Sequence, residues 1–370
     1  MTSPYAITMW DFSWLERRWP GAGYEDWDRA LDELAERGYD AVRIDAYPHL
    51  LSADPDREWH LLPVWNQHGW GAQSPVTVRV GPELVGFVRR ARDRGIGVAL
   101  SSWYRQDRDD HRMRIATPRD QAAIWCDTLA YLDRAGLLDA ILFVDLCNEF
   151  PLPMWAPYLY GTDEGDGHRR SEPFVAEWMR EAIGAVRQAY PGLRYTFSFT
   201  GQYDDLADQD VGPLDLLEPH LWMAMPGTTT YYDDVGYHFE RFDPAGYDNL
   251  VARGRSTYLA GQRAYDAALF AGIDTLAAWS RRTGKPLVTT ECWAIVDYKD
   301  WPGLDWDWVM DLNERALAYA AGTGRWVGLA TSNFAGPQFV GNWRDVAYHR
   351  RLTGLIKKSV ADPDLLEANP

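Results

Sequence analysis

Cysteine is scarce in this chain. Cys126, Cys147 and Cys292 are the only three in 370 residues, and an odd number without regular spacing gives no disulfide framework. Basic residues are also short, 37 Lys and Arg against 54 Asp and Glu, a formal net charge of −17. That balance argues against a nucleic-acid partner, because phosphate binding needs a basic footprint. No apolar run approaches the roughly eighteen residues of a membrane span, so no membrane partner is expected. The opening MTSPYAITMWDFSWLERR has no basic stretch followed by an apolar one, so no secretory signal is read and a cytoplasmic location is expected. HExxH, a glycine-rich phosphate loop before a helix and a GxSxG elbow are all missing. His49, His60 and His68 share a long loop but lack ligand spacing. Neither a metal nor another cofactor is expected. The charged run RQDRDDHRMR at 105–114 reads as a solvated loop.

What the chain has in quantity is tryptophan, 19 residues. Indoles fill cores, and their flat faces also stack on the C–H faces of pyranose rings. Trp65, Trp70, Trp155 and Trp301 lie in Gly/Pro-rich loops, where the second use is in play.

A unit recurs along the chain: an amphipathic helical segment, a Gly-containing turn, then a β-rich run. LDELAERGYDAVRIDAY is the first full instance and LAYAAGTGRWVGLATSNF the last. Glycine after the final helical turn is the expected stop. Alternating helices and apolar strands predict parallel βαβ units. Eight strands are predicted, beginning near Ala6, Ala41, Ile96, Ala140, Tyr195, Leu214, Pro286 and Trp326. Eight parallel strands make an α/β fold, the (β/α)₈ TIM barrel. The interval from Tyr203 to Pro213 is short for a helical crossover, so either the fifth helix is brief or irregular or one of the two flanking strands is misplaced. The segments after strands are long: Pro48 to Pro82, Pro151 to Glu172, Pro226 to Tyr247 and Trp293 to Asp307. In this fold they cover the catalytic face. No linker or composition shift divides the chain. Residues 1–370 are expected to form a single barrel domain, with 355–370 as a terminal tail.

Two of the apolar runs end in glutamate. AILFVDLCNEF ends in Asn148-Glu149, and PLVTTECW carries Glu291. In one barrel, both carboxyls would rise into the same mouth. Two carboxyls on opposite sides of an acetal bond are the minimal equipment for hydrolysing it. Each residue also has a plainer reading. Glu149 could be a first-turn helix charge, although PLP follows it at once. Glu291 could be a rim carboxylate in a salt bridge. Asn148 could simply cap the strand end, and Arg43 could pair with Asp45 or Asp11. His220 could be a satisfied core histidine. Glu218, on the same predicted strand, is a third carboxylate and a candidate electrostatic partner.

Asn-Glu ending strand four and Glu ending strand seven resemble the retaining (β/α)₈ glycoside hydrolases, with the cellulase-like members nearest. WDFSW at the start, VRID on strand two and HLW on strand six add to the likeness. The resemblance implies that Glu149 is the general acid/base and Glu291 the nucleophile. It implies that Asn148 holds the sugar's 2-hydroxyl and that Arg43 keeps Glu291 ionised. His220, Trp222, Trp103, Asp11, Trp293 and Asn333 join them as expected substrate-binding residues. The chain departs from the family's pattern at three places. Trp222 stands where many relatives carry Tyr; its N–H can only donate, and it is expected to hold an ionised Glu291. Ser101-Ser102-Trp103-Tyr104 lies where relatives place His. Strand eight ends TSNF instead of in Trp. The expected activity is double-displacement hydrolysis of short oligosaccharides or glycosides, exo-acting and retaining, with a small carbohydrate as partner. A catalytically inactive sugar-binding barrel is the alternative, and a barrel lyase or isomerase using one Glu as base is a third. Sugar identity and oligomeric state are not legible.

Overall fold

The structure is a computed structural model that describes residues 4–64, 69–225, 228–238 and 243–367. Trp65 and His68 lie outside the described residues. Eight strands are built from the predicted apolar runs. They are β1 (Tyr5–Asp11), β2 (Ala41–Asp45), β3 (Gly97–Ser101), β4 (Ile141–Asp145), β5 (Tyr195–Thr196 and Phe199–Thr200), β6 (Pro219–Trp222), β7 (Leu287–Thr289 and Cys292–Trp293) and β8 (Trp326–Leu329). Every pairing among them is parallel. The ladder runs from β1 through β2, β3 and β4 to the first half of β5. The second half of β5 pairs with β6, and β6 with the second half of β7. The first half of β7 pairs with β8, and β8 returns to β1. With β5 and β7 each taken as one interrupted strand, the eight form a continuous circuit.

Seven helices of ten or more residues appear among the described residues. They are α1 (Trp27–Glu36), α2 (Val80–Asp93), α3 (Pro118–Arg134), α4 (Pro173–Ala189), α5 (Arg255–Thr283), α6 (Asp307–Gly322) and α7 (Val346–Lys358). Their starts carry the local chemistry that starts helices. The Asp26 side chain accepts from the Arg29 N–H at α1, and Thr117 with Asp120 forms a reciprocal capping box at α3. On α1, Trp27, Ala30, Leu31 and Leu34 share the buried face. No helix lies between β5 and β6. The expectation of a brief or irregular fifth helix meets a loop instead. It is tied down by side chains: Arg170 donates to Gln209 Oε1 (3.1 Å), and Gln209 donates to the Gln202 carbonyl (3.1 Å).

Two expectations are corrected. The sixth strand begins at Pro219, not near Leu214; the stretch before it pairs with β7 through the Leu217–Leu287 bridge. The segment expected as a terminal tail is partly structured. α7 runs to Lys358, a short helix spans Pro363–Glu367, and Ile356, Ala361 and Leu365 are buried.

The barrel interior explains where the chemistry sits. Ile7, Ala41, Ala99, Phe143, Leu216 and Val288 belong to one small buried cluster. Side chains two positions further along a strand point to the same face. Two positions beyond Ala41, Ala99, Phe143, Leu216 and Val288 come Arg43, Ser101, Asp145, Glu218 and Thr290. An apolar layer gives way to a polar one near the C-terminal ends of the strands.

Candidate active site

Arg43 is the centre of the polar layer and is fully buried. Nη2 donates to Asp145 Oδ2 (2.5 Å), Asn148 Oδ1 (2.7 Å), Ser101 Oγ (2.9 Å) and Ser198 Oγ (3.1 Å). Nη1 donates to Glu291 Oε1 and Thr290 Oγ1, both at 3.1 Å. Nε lies 3.5 Å from Glu218 Oε1. Burial works against the charge, but Glu218, Asp145 and Glu291 outweigh it, so the guanidinium is more basic than usual. Its partners are not Asp45 or Asp11. Asp45 accepts backbone N–H groups of Tyr47 (2.7 Å) and Trp103 (3.1 Å), and burial raises it to about 7.

Glu149 follows β4 in a left-handed backbone conformation, φ 45°, which non-glycine residues seldom adopt. Its N–H donates to Ser198 Oγ (2.9 Å), and the Phe150 N–H donates to the Ser198 carbonyl (2.9 Å). These bonds hold the strained turn, a pattern that gathers at functional sites. The carboxylate receives His220 Nδ1 on Oε1 (3.0 Å) and Trp155 Nε1 on Oε2 (3.1 Å). The first-turn-helix reading of Glu149 does not apply, since turns follow it.

Glu291 interrupts β7 and is 8% exposed. His220 Nδ1 lies 3.7 Å from its Oε1. Glu149, His220 and Glu291 each present an atom within 4.8 Å of the other two. Burial raises Glu291 to about 6; His220 and Arg43 oppose that shift, and Glu149 and Glu218 add to it. His220 is pushed the other way by its surroundings. Burial disfavours its charge, but Glu291, Glu149 and Glu218 bring it up to about 10, so it is a cation at neutral pH. Glu218 accepts from Thr290 Oγ1 (2.7 Å). Although buried, it stays ionised more readily than usual because of Arg43 and His220. Two cations thus face four carboxyl groups, Asp145, Glu149, Glu218 and Glu291. Within this cluster, burial raises Asp145 as well as Glu291.

The two glutamates and Asn148 open into a cavity of about 310 Å³, also lined by Asp11, Phe12, Trp70, Trp103, Trp155 and Lys299 among others. That is the small end of the range for ligand pockets. The amide oxygen of Asn148 is taken by Arg43, so its NH₂ is what it offers the cavity. Trp103 lines the cavity with the Arg43 guanidinium 4.6 Å from its ring centroid. Asp11 lines it too. Trp222 also lines it, but its N–H donates to Asn333 Oδ1 (3.3 Å) and not to Glu291. Asn333 in turn donates to the Val296 carbonyl (3.2 Å) and positions Trp222 from behind. Trp293 does not reach the cavity: fully buried, it donates to the Ala330 carbonyl (3.0 Å) and packs edge-on to Trp326. It follows Glu291 by two positions, and the β7 interruption places it in the core.

Three comparisons with known proteins bear on this geometry. A family model described as sugar-binding cellulase-like matches residues 7–357. The chain belongs to this family. A crystal structure from Parabacteroides distasonis ATCC 8503, of a protein provisionally assigned as a glycoside hydrolase, is 47% identical. The match covers 100% of this chain and 97% of that one, with a TM-score of 0.96. The endo-β-1,4-mannanase of Thermotoga petrophila is 10% identical over 97% of this chain and 78% of its own, TM-score 0.57. GH5_18 from Streptomyces cattleya, solved with GlcNAc, is 13% identical over 98% and 82%, TM-score 0.52. At those identities the last two show a shared fold. No curated protein sequence matches the chain. No helix among the described residues of this cellulase-like protein is long and apolar enough to cross a membrane.

Sequence reasoning missed several residues around the site. Asp145 and Ser198 left no motif; strand period from Phe143 would have found the first. Trp155 was noticed as a loop indole, but nothing in PLPMW says that it turns back onto Glu149. No pattern in the segment after Trp293 marks Asp297 or Lys299.

Proposed function

We propose that this protein is a retaining glycoside hydrolase that attacks the ends of short oligosaccharides or glycosides. Glu149 is the general acid/base and Glu291 the nucleophile. The carrying observation is that a carboxylate oxygen of each lies within 4.8 Å of the other across one cavity. Retaining enzymes hold their carboxyls about 5–5.5 Å apart and inverting ones about 6.5–9.5 Å. The short approach therefore favours direct attack over an interposed water. Arg43 gives Glu291 the donor an anionic nucleophile needs, and the positive charge of His220 lies 3.7 Å away. With its pKa at about 6, Glu291 is mostly ionised at neutral pH.

In the first step Glu149 protonates the leaving oxygen while Glu291 attacks the anomeric carbon. In the second, Glu149 takes a proton from water and the glycosyl-enzyme is hydrolysed. Through each step His220 or Trp155 steadies whichever Glu149 oxygen carries no proton. The small cavity favours short substrates over polymer chains. The likeness to a provisionally assigned glycoside hydrolase and the fold shared with a mannanase support the reaction class.

The test is a panel of aryl glycosides with wild type, Glu149→Gln and Glu291→Gln. Each variant is expected to lose three or more orders of magnitude in turnover while unfolding at the wild-type denaturant midpoint, give or take about 1 kcal/mol. Azide should restore turnover to Glu291→Gly with an activated glycoside, giving a glycosyl azide of inverted configuration. No rescue would overturn the nucleophile assignment. Sugar binding by calorimetry with no turnover of any glycoside would favour the inactive binding protein.

A further inference from the structure

The cavity has a second polar face that the double displacement leaves unused. Among the described residues its polar lining, apart from Asn148, Glu149, Glu291 and Thr200, consists of Asp11, Asp297 and Lys299. All three are at least 97% buried. Asp11 ends β1 in a left-handed conformation, φ 40°. Its Oδ1 accepts the Ser13 N–H, and its Oδ2 has no hydrogen-bond partner among the described residues. A buried oxygen without a partner is destabilising, and one that lines a ligand cavity is where a ligand hydroxyl would satisfy it. Lys299 Nζ lies 2.7 Å from Asp297 Oδ1, with the Trp70 ring centroid 5.6 Å away.

From this geometry we infer that Asp11 and the Asp297–Lys299 pair form the closed end of the pocket and bind neighbouring hydroxyls of a neutral terminal sugar ring. The inference rests on the glycosidase reading and deepens it by naming what closes the pocket and the class of ring it takes. An ammonium that donates beside carboxyls that accept matches a pair of adjacent hydroxyls, each of which does both. Charge argues for a neutral ring over an acidic one. Lys299 is already paired with Asp297, and burial lifts Asp11 well above the ordinary carboxylate range, so the face carries little net charge to attract a uronate. Trp70 beside Lys299 supplies an aromatic face for the ring's C–H side. Lys299 and Asp11 are specificity-determining residues on this account, lining the same cavity as the two glutamates.

The experiment compares wild type with Lys299→Met, the paired Asp297→Asn/Lys299→Met, Asp11→Asn and Asp11→Ala. The readouts are kcat/KM on neutral aryl glycosides and calorimetric binding of glucose, galactose, mannose and their single deoxy analogues. The paired variant leaves no lone buried charge, and Asp11→Asn keeps a residue suited to positive φ; thermal unfolding checks that each is folded. The Lys299 variants and Asp11→Ala should lose about tenfold or more in kcat/KM and in affinity. The deoxy analogue lacking the contacted hydroxyl should bind wild type and variant alike. Unchanged affinity and kcat/KM in the folded Lys299 variants and in folded Asp11→Ala would overturn the inference. So would wild-type preference for an aryl uronide over every neutral glycoside. If wild type turns over no glycoside but binds a neutral sugar that the variants release, the catalytic proposal fails and this one stands.

Discussion

His220 is the residue on which the charge balance of the site turns. Its Nδ1 donates to Glu149 and lies within 4 Å of Glu291, and its pKa is raised to about 10. A raised folded-state pKa contributes stability that is complete below the unfolded value near 6.5 and lost as pH rises through the folded one. Denaturant midpoints of the wild type should therefore decline between about pH 7 and pH 10. His220→Gln should be less stable at pH 7 by about 3–5 kcal/mol, because it leaves buried carboxylates unpaired, and should lack that component of the decline. Equal slopes in both proteins would contradict the assignment. Glu291 gives a second readout. Its pKa of about 6 predicts that kcat/KM in the free enzyme rises with pH on an acid limb centred near 6. Because Glu149 and Glu291 interact, the limb reports the pair. A limb near 4 would mean that burial does not govern the ionisation of Glu291.

At the level of elements, the loop that replaces a fifth helix is an unusual support for a strand end. Arg170 is buried; it donates to the Phe150 carbonyl (2.9 Å) and to Gln209 Oε1, and its guanidinium lies 4.5 Å from the Phe199 ring centroid. It joins the turn after Glu149 to the loop after β5. Arg170→Ala should cost about 2–4 kcal/mol in chemical denaturation by leaving both acceptors unpaired, and should lower kcat more than it raises KM. A variant of wild-type stability would remove this role. The strand ends were legible because apolar runs finish in Asn148-Glu149 and in Glu291, and local pattern carries that much. The missing helix was legible only as a short interval, since side-chain ties such as Arg170–Gln209 are long-range. Trp293 was misplaced for a related reason: a residue two positions beyond a site glutamate shares its face only where the strand is regular, and β7 breaks at Thr290 and Glu291. Arg43 was legible as a donor to Glu291. Its other partners come from four different strands and the segments that follow them, and no single stretch of sequence announces such a convergence.

For the whole molecule, the excess of acidic residues sets behaviour in solution more than it sets the fold. A net charge of −17 repels itself across the surface, and salt screens that repulsion over about 10 Å at 0.1 M. The melting temperature at pH 8 should rise by a few degrees between about 10 and 200 mM NaCl, in contrast to a chain held mainly by surface ion pairs. A fall would show that pairs such as Arg351–Glu314 matter more than the overall repulsion. The same charge predicts no retention on a DNA column at low salt.

Arg43 is anchored to the strands around it before any ligand arrives, whereas the far wall of the cavity is contributed by the end of β1 and the segment after β7. On the proposed roles, the buried charge network and the ring-binding wall are built from different side chains. Loops grafted from a relative could redirect such a barrel to a new substrate with its reactive heart untouched, whereas a change at position 43 would disturb several strand ends at once.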